Sequence, residues 1–234
     1  MYFLSIPIHN GHKWLVNARN NLAEMHSRVC RMFTPAERDT ENDFKSAQRH
    51  GIRWRIERRD PHNPGSREYL LVQSKTEPDL HYHYPDVDDH TLLHLSPAQP
   101  VLFTGQMVMF TFVGNPTKAH TSPTGKPRRV PIEGNDAVKA WGTERLASIH
   151  DVKGQRQWAE LDCMTGMSPA YGTHPLHVAH KGDGTEVRLS LWRYTGFARI
   201  TDPVAARLAL HQGIRSPARG YGTGLLTLVP ARPY

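Results

Sequence analysis

Polar and apolar residues alternate loosely over residues 2–8, with aromatic and β-branched side chains among them, and predict an opening strand. A helix follows. Leu22, Met25, His26, Val29 and Phe33 recur at helical steps and share one face; Asn20 or Asn21 supplies the cap, and Thr34-Pro35 ends the run. Residues 52–57 and 68–74 read as strands joined by the turn-rich Asp60-Pro61-His62-Asn63-Pro64-Gly65 segment, and residues 91–95 as the strand that closes this unit. Pro97 and Pro100 resist any continuing helix or central strand, so a boundary falls at residues 96–100. The order of elements then repeats. A long strand is predicted over residues 101–113, a loop rich in Thr, Gly, Pro, Lys and Arg over 115–129, a short strand over 130–132, and a helix from Asn135 or Asp136 to Ala147. Residues 148–161 and 185–200 read as extended, Asp202-Pro203 opens a helix through Leu210, and residues 225–229 close as a strand. Two successive strand-helix-strand-strand-helix-strand patterns predict an α+β chain of tandem split-βαβ units, residues 1–97 and 98–234, with one helix of the first unit unplaced. No sequence repeat accompanies them.

Length and composition agree with two folded units: 234 residues and 38% hydrophobic content suffice for a real core. The longest apolar stretch, residues 100–114, is interrupted by Thr104, Gly105, Gln106 and Thr111, well short of the roughly 18 to 20 residues that cross a bilayer. No membrane span is expected. The first residues lack a basic leader and read as a strand, which points to a cytoplasmic chain. Cys30 and Cys163 cannot staple a scaffold of this size or hold zinc alone, and are expected to be reduced. Charge adds a functional hint. The net charge is +7, and its excess lies in the second half: residues 1–98 carry 13 basic and 13 acidic side chains, residues 99–234 carry 16 and 9. A basic surface attracts polyanions, of which nucleic acid is the commonest; an ordinary solvated surface is the competing reading.

The stretch Gly213-Ile214-Arg215-Ser216-Pro217-Ala218-Arg219-Gly220-Tyr221-Gly222-Thr223-Gly224 lies between a helix and an apolar strand. Its glycines can let backbone amides approach phosphates while the guanidinium groups grip them; a connection whose glycines serve only turns fits the spacing equally. Arg219-Gly220-Tyr221-Gly222 opens like an RNA-recognition signature, but the stacking aromatics that should follow are absent. Other constellations are weaker. His81, His83, His90 and His94 near Asp86, Asp88 and Asp89, and the evenly spaced His174, His177 and His180, match no metal-ligand frame, and no metal or cofactor is expected. Cys30, four residues after His26, could pair with it as a thiol nucleophile, although a helical cysteine on a mixed face more often packs.

Four segments spread over nearly the whole length carry a resemblance: Met1-Tyr2 opening into a strand; Asn21-Leu22-Ala23-Glu24-Met25-His26 ending in Arg31-Met32-Phe33; Phe112-Val113-Gly114-Asn115-Pro116-Thr117 followed by Gly125-Lys126-Pro127-Arg128-Arg129-Val130-Pro131; and Gly196-Phe197-Ala198-Arg199-Ile200-Thr201-Asp202-Pro203 leading to the glycine loop. With these the chain resembles the CRISPR repeat endoribonucleases of type I-E systems, the CasE subunits of Cascade. The resemblance implies two ferredoxin-like (RRM-like) domains, the first with the catalytic helix and the second with a basic hairpin arm and the glycine loop. It implies metal-independent cleavage of CRISPR precursor RNA at the base of the repeat stem-loop, giving a 2′,3′-cyclic phosphate and a 5′-OH. The crRNA 3′ hairpin would be retained beside the Cascade backbone subunits. His26 takes the place of the family's helix histidine, and imidazole, titrating near pH ~6.5, can act as acid or base. Arg28, Arg31, Lys118, Lys126, Arg128, Arg129, Arg215, Arg219, Gly213, Gly220, Gly222 and Tyr221 are the expected RNA contacts. In an A-form stem the bases are hard to reach, so shape and phosphates should dominate recognition. One position departs. Family members often carry a tyrosine a helical turn before the histidine, where this chain has Ala23. Either Tyr221 substitutes for it, His26 acts alone, or the chain holds the stem-loop with weak or no cleavage.

Overall fold

The computed structural model describes residues 1–9, 13–33, 43–58, 66–80, 93–95, 101–121, 125, 127–151, 154–171, 175–180, 184 and 186–231. The chain divides into two compact units, one of Met1–Gln99 with Val178–Val187 and Arg219–Gly222, the other of Pro100–His177, Arg188–Ala218 and Thr223–Tyr234.

In the first unit, β1 (Tyr2–Ile8), α1 (Lys13–Ala18), α2 (Leu22–Arg31) and α3 (Asp43–His50) precede β2 (Arg53–Arg58), β3 (Glu68–Ser74) and β4 (Leu93–Leu95). The strands form one antiparallel sheet ordered β2-β3-β1-β4. Period-two alternation sends one set of side chains to a common face, and the register lines up Leu4 with Val72 and Trp54, and Ile6 with Leu70 and Ile56. All six are buried, as are Leu15, Ala18, Leu22, Met25, Val29 and Met32 on or beside α1 and α2. The stripe at positions 22, 25 and 29 is the one read from sequence, and it exists because α2 must cover that face. Asn21, not Asn20, is the cap: its backbone is extended and its side chain accepts from the Ala23 amide at 3.1 Å. Helix α3 was not expected; the Phe33 and His50 rings stack at 5.9 Å where α2 ends. The unplaced helix of this unit would fall between β3 and β4; residues 75–80 are not helical and residues 81–92 lie outside the described residues.

The second unit contains β5 (Met107–Gly114), β6 (Thr117–Thr121), β7 (Pro127–Pro131), α4 (Asn135–Ala147), β8 (Ser148–Asp151), β9 (Gly154–Gln157), β10 (Ala159–Pro169), β13 (Trp192–Ile200), α5 (Pro203–Gln212) and β14 (Thr227–Pro230); between β10 and β13 in the chain, β11 (Leu176–His180) and β12 (Glu186–Ser190) pair as a two-stranded ribbon, of which Val178–Val187 group with the first unit. Its main sheet is ordered β10-β13-β5-β14 and is antiparallel throughout. Counted by unit, both sheets run second, third, first, fourth: the ferredoxin-like split-βαβ order, used twice in an α+β chain. Three predicted spans differ at their edges. The strand expected from residue 101 starts at Met107, because Gly105 takes a positive φ of 83° and the chain turns there. Residues 148–161 divide into the β8–β9 hairpin and the start of β10, and residues 185–200 break at Leu191, whose amide donates instead to Pro175 O at 2.7 Å. The loop after residue 115 is itself mostly a hairpin, β6 paired with β7.

Tyr194 holds α4 on this sheet. Its ring stacks on Phe112 at 4.7 Å, its hydroxyl donates to Val138 O at 3.1 Å, and burial pushes its phenol above the ordinary tyrosine range. A Cβ at Gly142 would overlap the Tyr194 ring, so a mid-helix glycine, ordinarily unfavourable, permits the close approach. Asp202 caps α5, accepting from the Val204 and Ala205 amides at 2.9 Å each. Among the described residues no helix is long and apolar enough to cross a membrane.

Two stability outcomes follow. Gly142→Ala should cost about 1–3 kcal/mol in a urea titration despite its better helix propensity, because overpacking the Tyr194 contact outweighs the propensity gain. The bonds from the Ala205 amide, chiefly, and from Arg156 and the Val204 amide hold the Asp202 carboxyl below the usual carboxylate range, against the opposing pull of burial. Its stabilising contribution is therefore present above the unfolded carboxyl's pKa of about 3.9 and is lost as pH falls through the lower folded value. Asp202→Asn should give a flatter fall in urea midpoint below about pH 4 than the parent chain.

Candidate active site

Helix α2 carries His26 at the border of its buried stripe, beside Met25 and one turn before Cys30. The ring touches three neighbours within the first unit. Trp54 on β2, fully buried, donates its indole N–H to His26 Nδ1 at 3.3 Å. Cys30 Sγ lies 3.8 Å from both ring nitrogens. On the remaining edge is the short 3-10 turn Arg219–Tyr221: a Cβ built on Gly220 would stand 3.2 Å from His26 Cδ2 and Nε2. The two segments, nearly two hundred residues apart in sequence, meet because Gly220 has no side chain. His26 is neither sealed in the core nor fully exposed, and the turn beside it carries the exposed Arg219.

Arg53, next to Trp54 on β2, belongs to the basic cluster of Lys45, Arg49, Arg53, Arg55, Arg58 and Arg59 but was not among the expected RNA contacts. Burial, then the charge of Arg219, lowers it from the ordinary arginine range to about 10, so it keeps its charge at neutral pH. The signal that could have found it is the alternation Arg53-Trp54-Arg55 on a strand, which interleaves cations with a core aromatic. Arg28 forms an i,i+4 ion pair with Glu24 at 3.3 Å, and Arg31 is exposed at the end of α2. Cys30 is buried, with 1% of its surface exposed, which removes it as a nucleophile toward any large substrate.

The other expected contacts lie in the second unit. Lys118 on β6 and Arg128 and Arg129 on β7 are exposed on the hairpin, where register pairs Lys118 with Val130, Ala119 with Arg129 and His120 with Arg128. His120, exposed on the same hairpin, was overlooked. Lys126 lies outside the described residues. Arg215 is exposed, and Gly213 ends α5 with φ 65°. The glycine stretch is not a loose connection. In the second unit the Ile214 amide donates to Gly224 O at 2.8 Å, the Gly224 amide to Val113 O at 2.9 Å, and the Asn115 amide to Ser216 Oγ at 3.0 Å. Positive φ angles at Ala218, Gly222 and Gly224 make the turns. Among the described residues no three His, Cys, Asp or Glu side chains converge as metal ligands; residues 81–90, with most of the histidine and aspartate cluster, lie outside them, and so does His174.

A buried donor thus holds one imidazole nitrogen, the Gly220 turn abuts the other ring edge, and that turn carries Arg219, all on a tandem ferredoxin-like scaffold. The comparisons agree with that scaffold. The chain belongs to the CRISPR associated protein family, whose model matches residues 1–230. Among solved structures it is similar to CRISPR endoribonuclease Cse3 bound to a 19 nt RNA, at 22% identity and TM-score 0.65 over 98% of this chain and 100% of that one. A Thermus thermophilus Cse3 bound to an RNA representing a pre-cleavage complex gives 22% and 0.64 over 98% of each. Cas6e from Escherichia coli K-12 gives 20% and 0.59 over 99% and 100%. No curated protein matches the chain.

Gly220→Ala should displace the imidazole by a few tenths of an ångström and leave the fold intact. The expected reading is a shift of the His26 Cδ2–H and Cε1–H signals in NMR spectra with an unchanged urea midpoint.

Proposed function

We propose that this chain is a CRISPR-RNA endoribonuclease that cuts the repeat transcript at the base of its stem-loop and keeps the 3′ hairpin as a subunit of Cascade. The observation that carries the reading is His26 against the Gly220 turn with Arg53 and Arg219 close by. The ribose 2′-OH is an internal nucleophile. Its oxygen bonds to the adjacent phosphorus as the P–O5′ bond breaks, giving a 2′,3′-cyclic phosphate and a 5′-OH. The protein must move a proton and stabilise the phosphorane charge. His26 supplies the first, and the amides of residues 220–222 with the two guanidinium groups supply the second. The hairpin cations Lys118, Lys126, Arg128 and Arg129, with Arg215, grip stem phosphates, and Arg28 and Arg31 on α2 offer further backbone contacts. In this division residues 1–97 bring the catalytic helix and residues 98–234 the arm and the glycine loop. The closed base of that loop supports it as a binding element, since its amides are held before RNA arrives.

Ala23 supports a second reading. It has no hydroxyl one turn before His26, so a stem-loop holder that cuts slowly or not at all is the alternative. Tyr221, adjoining Gly220 in the turn, is the candidate to supply a phenol instead.

The deciding experiment incubates the purified chain with a cognate repeat hairpin in EDTA. Cleavage to the cyclic phosphate is expected; RNA bound tightly but left whole would favour the holder. His26→Ala should lose about 10²–10⁴ in rate with affinity nearly intact, and unchanged cleavage would remove His26 from the mechanism. Tyr221→Phe should slow cleavage at least about tenfold if the phenol acts, and leave it unchanged if His26 works alone.

A further inference from the structure

The side chain closest to the chemistry of His26, yet absent from any motif, is Trp54. An indole Nε1 can only donate a hydrogen bond. At 3.3 Å from His26 Nδ1 it therefore requires a lone pair on that nitrogen, and a neutral imidazole with a lone pair on Nδ1 carries its proton on Nε2. We infer that Trp54 is a positioning residue for His26, fixing the tautomer whose N–H sits on Nε2, the atom turned to the Gly220 turn.

Three features make the arrangement firm. Trp54 is fully buried and paired across the sheet with Val72, so the direction of its N–H is set by core packing rather than by solvent. The Cys30 sulfur is equidistant from the two ring nitrogens and does not select between them. The ring edge carrying Nε2 and Cδ2 lies against Gly220, where any Cβ would stand 3.2 Å away, and flipping the ring would put Cδ2–H in place of Nδ1 before the indole N–H and lose its bond.

The consequence rests on the endoribonuclease reading: the first thing the ring offers a phosphate or a departing oxygen is a donated hydrogen bond, not a lone pair. Taking up a second proton must happen at Nδ1 and breaks the Trp54 bond, so the indole favours the neutral ring. Other ionisable groups on the elements around α2 are Glu24, Arg28, Cys30 and Arg31 on the helix itself, Lys13 on α1, Arg49 and His50 on α3, Arg53, Arg55, Glu57 and Arg58 on β2, and Arg219 and Tyr221 in the turn. All of these stay in place in Trp54→Phe, which isolates the indole bond.

The test reads tautomers by long-range proton–nitrogen NMR on the full, uniformly labelled chain without RNA, with His26 assigned from its loss in His26→Asn. Expected is Nε2–H alone in the parent chain. In Trp54→Phe the His26 titration midpoint should rise by about half to one pH unit, the size of one ordinary hydrogen bond. A mixed or Nδ1–H tautomer in the parent chain, or a folded Trp54→Phe with an unmoved midpoint, overturns the inference. Should Trp54→Phe fail to fold, a benzothienylalanine at position 54 keeps the shape and removes the N–H, and the parent tautomer decides in any case. Because no readout uses RNA, a chain that binds RNA without cutting it leaves this inference standing, and a wrong tautomer leaves the cleavage assay standing.

Discussion

A half-buried histidine held by a buried indole on one side and by a glycine on the other is the contact on which the site depends. Each partner answers a different physical requirement. Trp54 is part of the core and costs nothing further to order, so its hydrogen bond to His26 is available in the resting fold. Gly220 brings backbone, rather than side chain, to the imidazole edge. A larger residue there would push the ring away from the amides that are to receive an anion. Helix α2 supplies the third requirement, rigidity, through the buried Leu22, Met25 and Val29 that pin it to its sheet.

The two units share a strand order but specialise their helices differently. In the first, α2 leaves a polar residue at the edge of its apolar stripe, and that residue is His26. In the second, α4 is drawn tight to the sheet by Gly142 against Tyr194, and its role is structural. The same closeness recurs at Gly114, where a Cβ would meet the Trp141 ring at 2.5 Å. Glycines in this chain thus mark two different needs, dense packing at 114 and 142 and access to a functional ring at 220. The rest of the C-terminal stretch shows a third use, with Gly222 and Gly224 taking positive φ to close the loop on itself.

How much of this could be read from the sequence depends on whether the deciding interaction was local. Helix α2 was legible because the spacing of Leu22, Met25 and Val29 and the cap at Asn21 are contained in a dozen residues. Helix α5 was legible from Asp202-Pro203 for the same reason. Helix α3 was missed because Asp43–His50 is short and largely polar, so its one apolar stripe rests on Phe44 and Ala47 alone. From its residues the β6–β7 segment read as a loop before a short strand, because its Pro, Gly, Lys and Arg content hides the ribbon pairing, and only the family resemblance implied a hairpin arm. At the site, the resemblance of the Asn21–Phe33 segment brought His26 forward, but Trp54 and Arg53 lay in a strand that read only as core. Their function comes from meeting α2 and the Arg219–Tyr221 turn, contacts that span 28 residues in one case and well over a hundred in the other. No local pattern encodes such a meeting.

In the proposed endoribonuclease reading, charge favours a polyanion over a neutral substrate. Arg53 and Arg219 are close enough for one to lower the other, after burial has done most of the lowering, and yet at about 10 Arg53 remains a cation at any physiological pH. The mutual repulsion is therefore carried by the folded protein and is not relieved by shedding a proton. A phosphodiester drawn between them offsets it, and would do so most where negative charge is greatest, on the phosphorane rather than on the ground-state diester. A neutral ligand offers no such compensation. The Trp54 bond complements that charge, since an indole that donates to Nδ1 needs the lone pair there left in place.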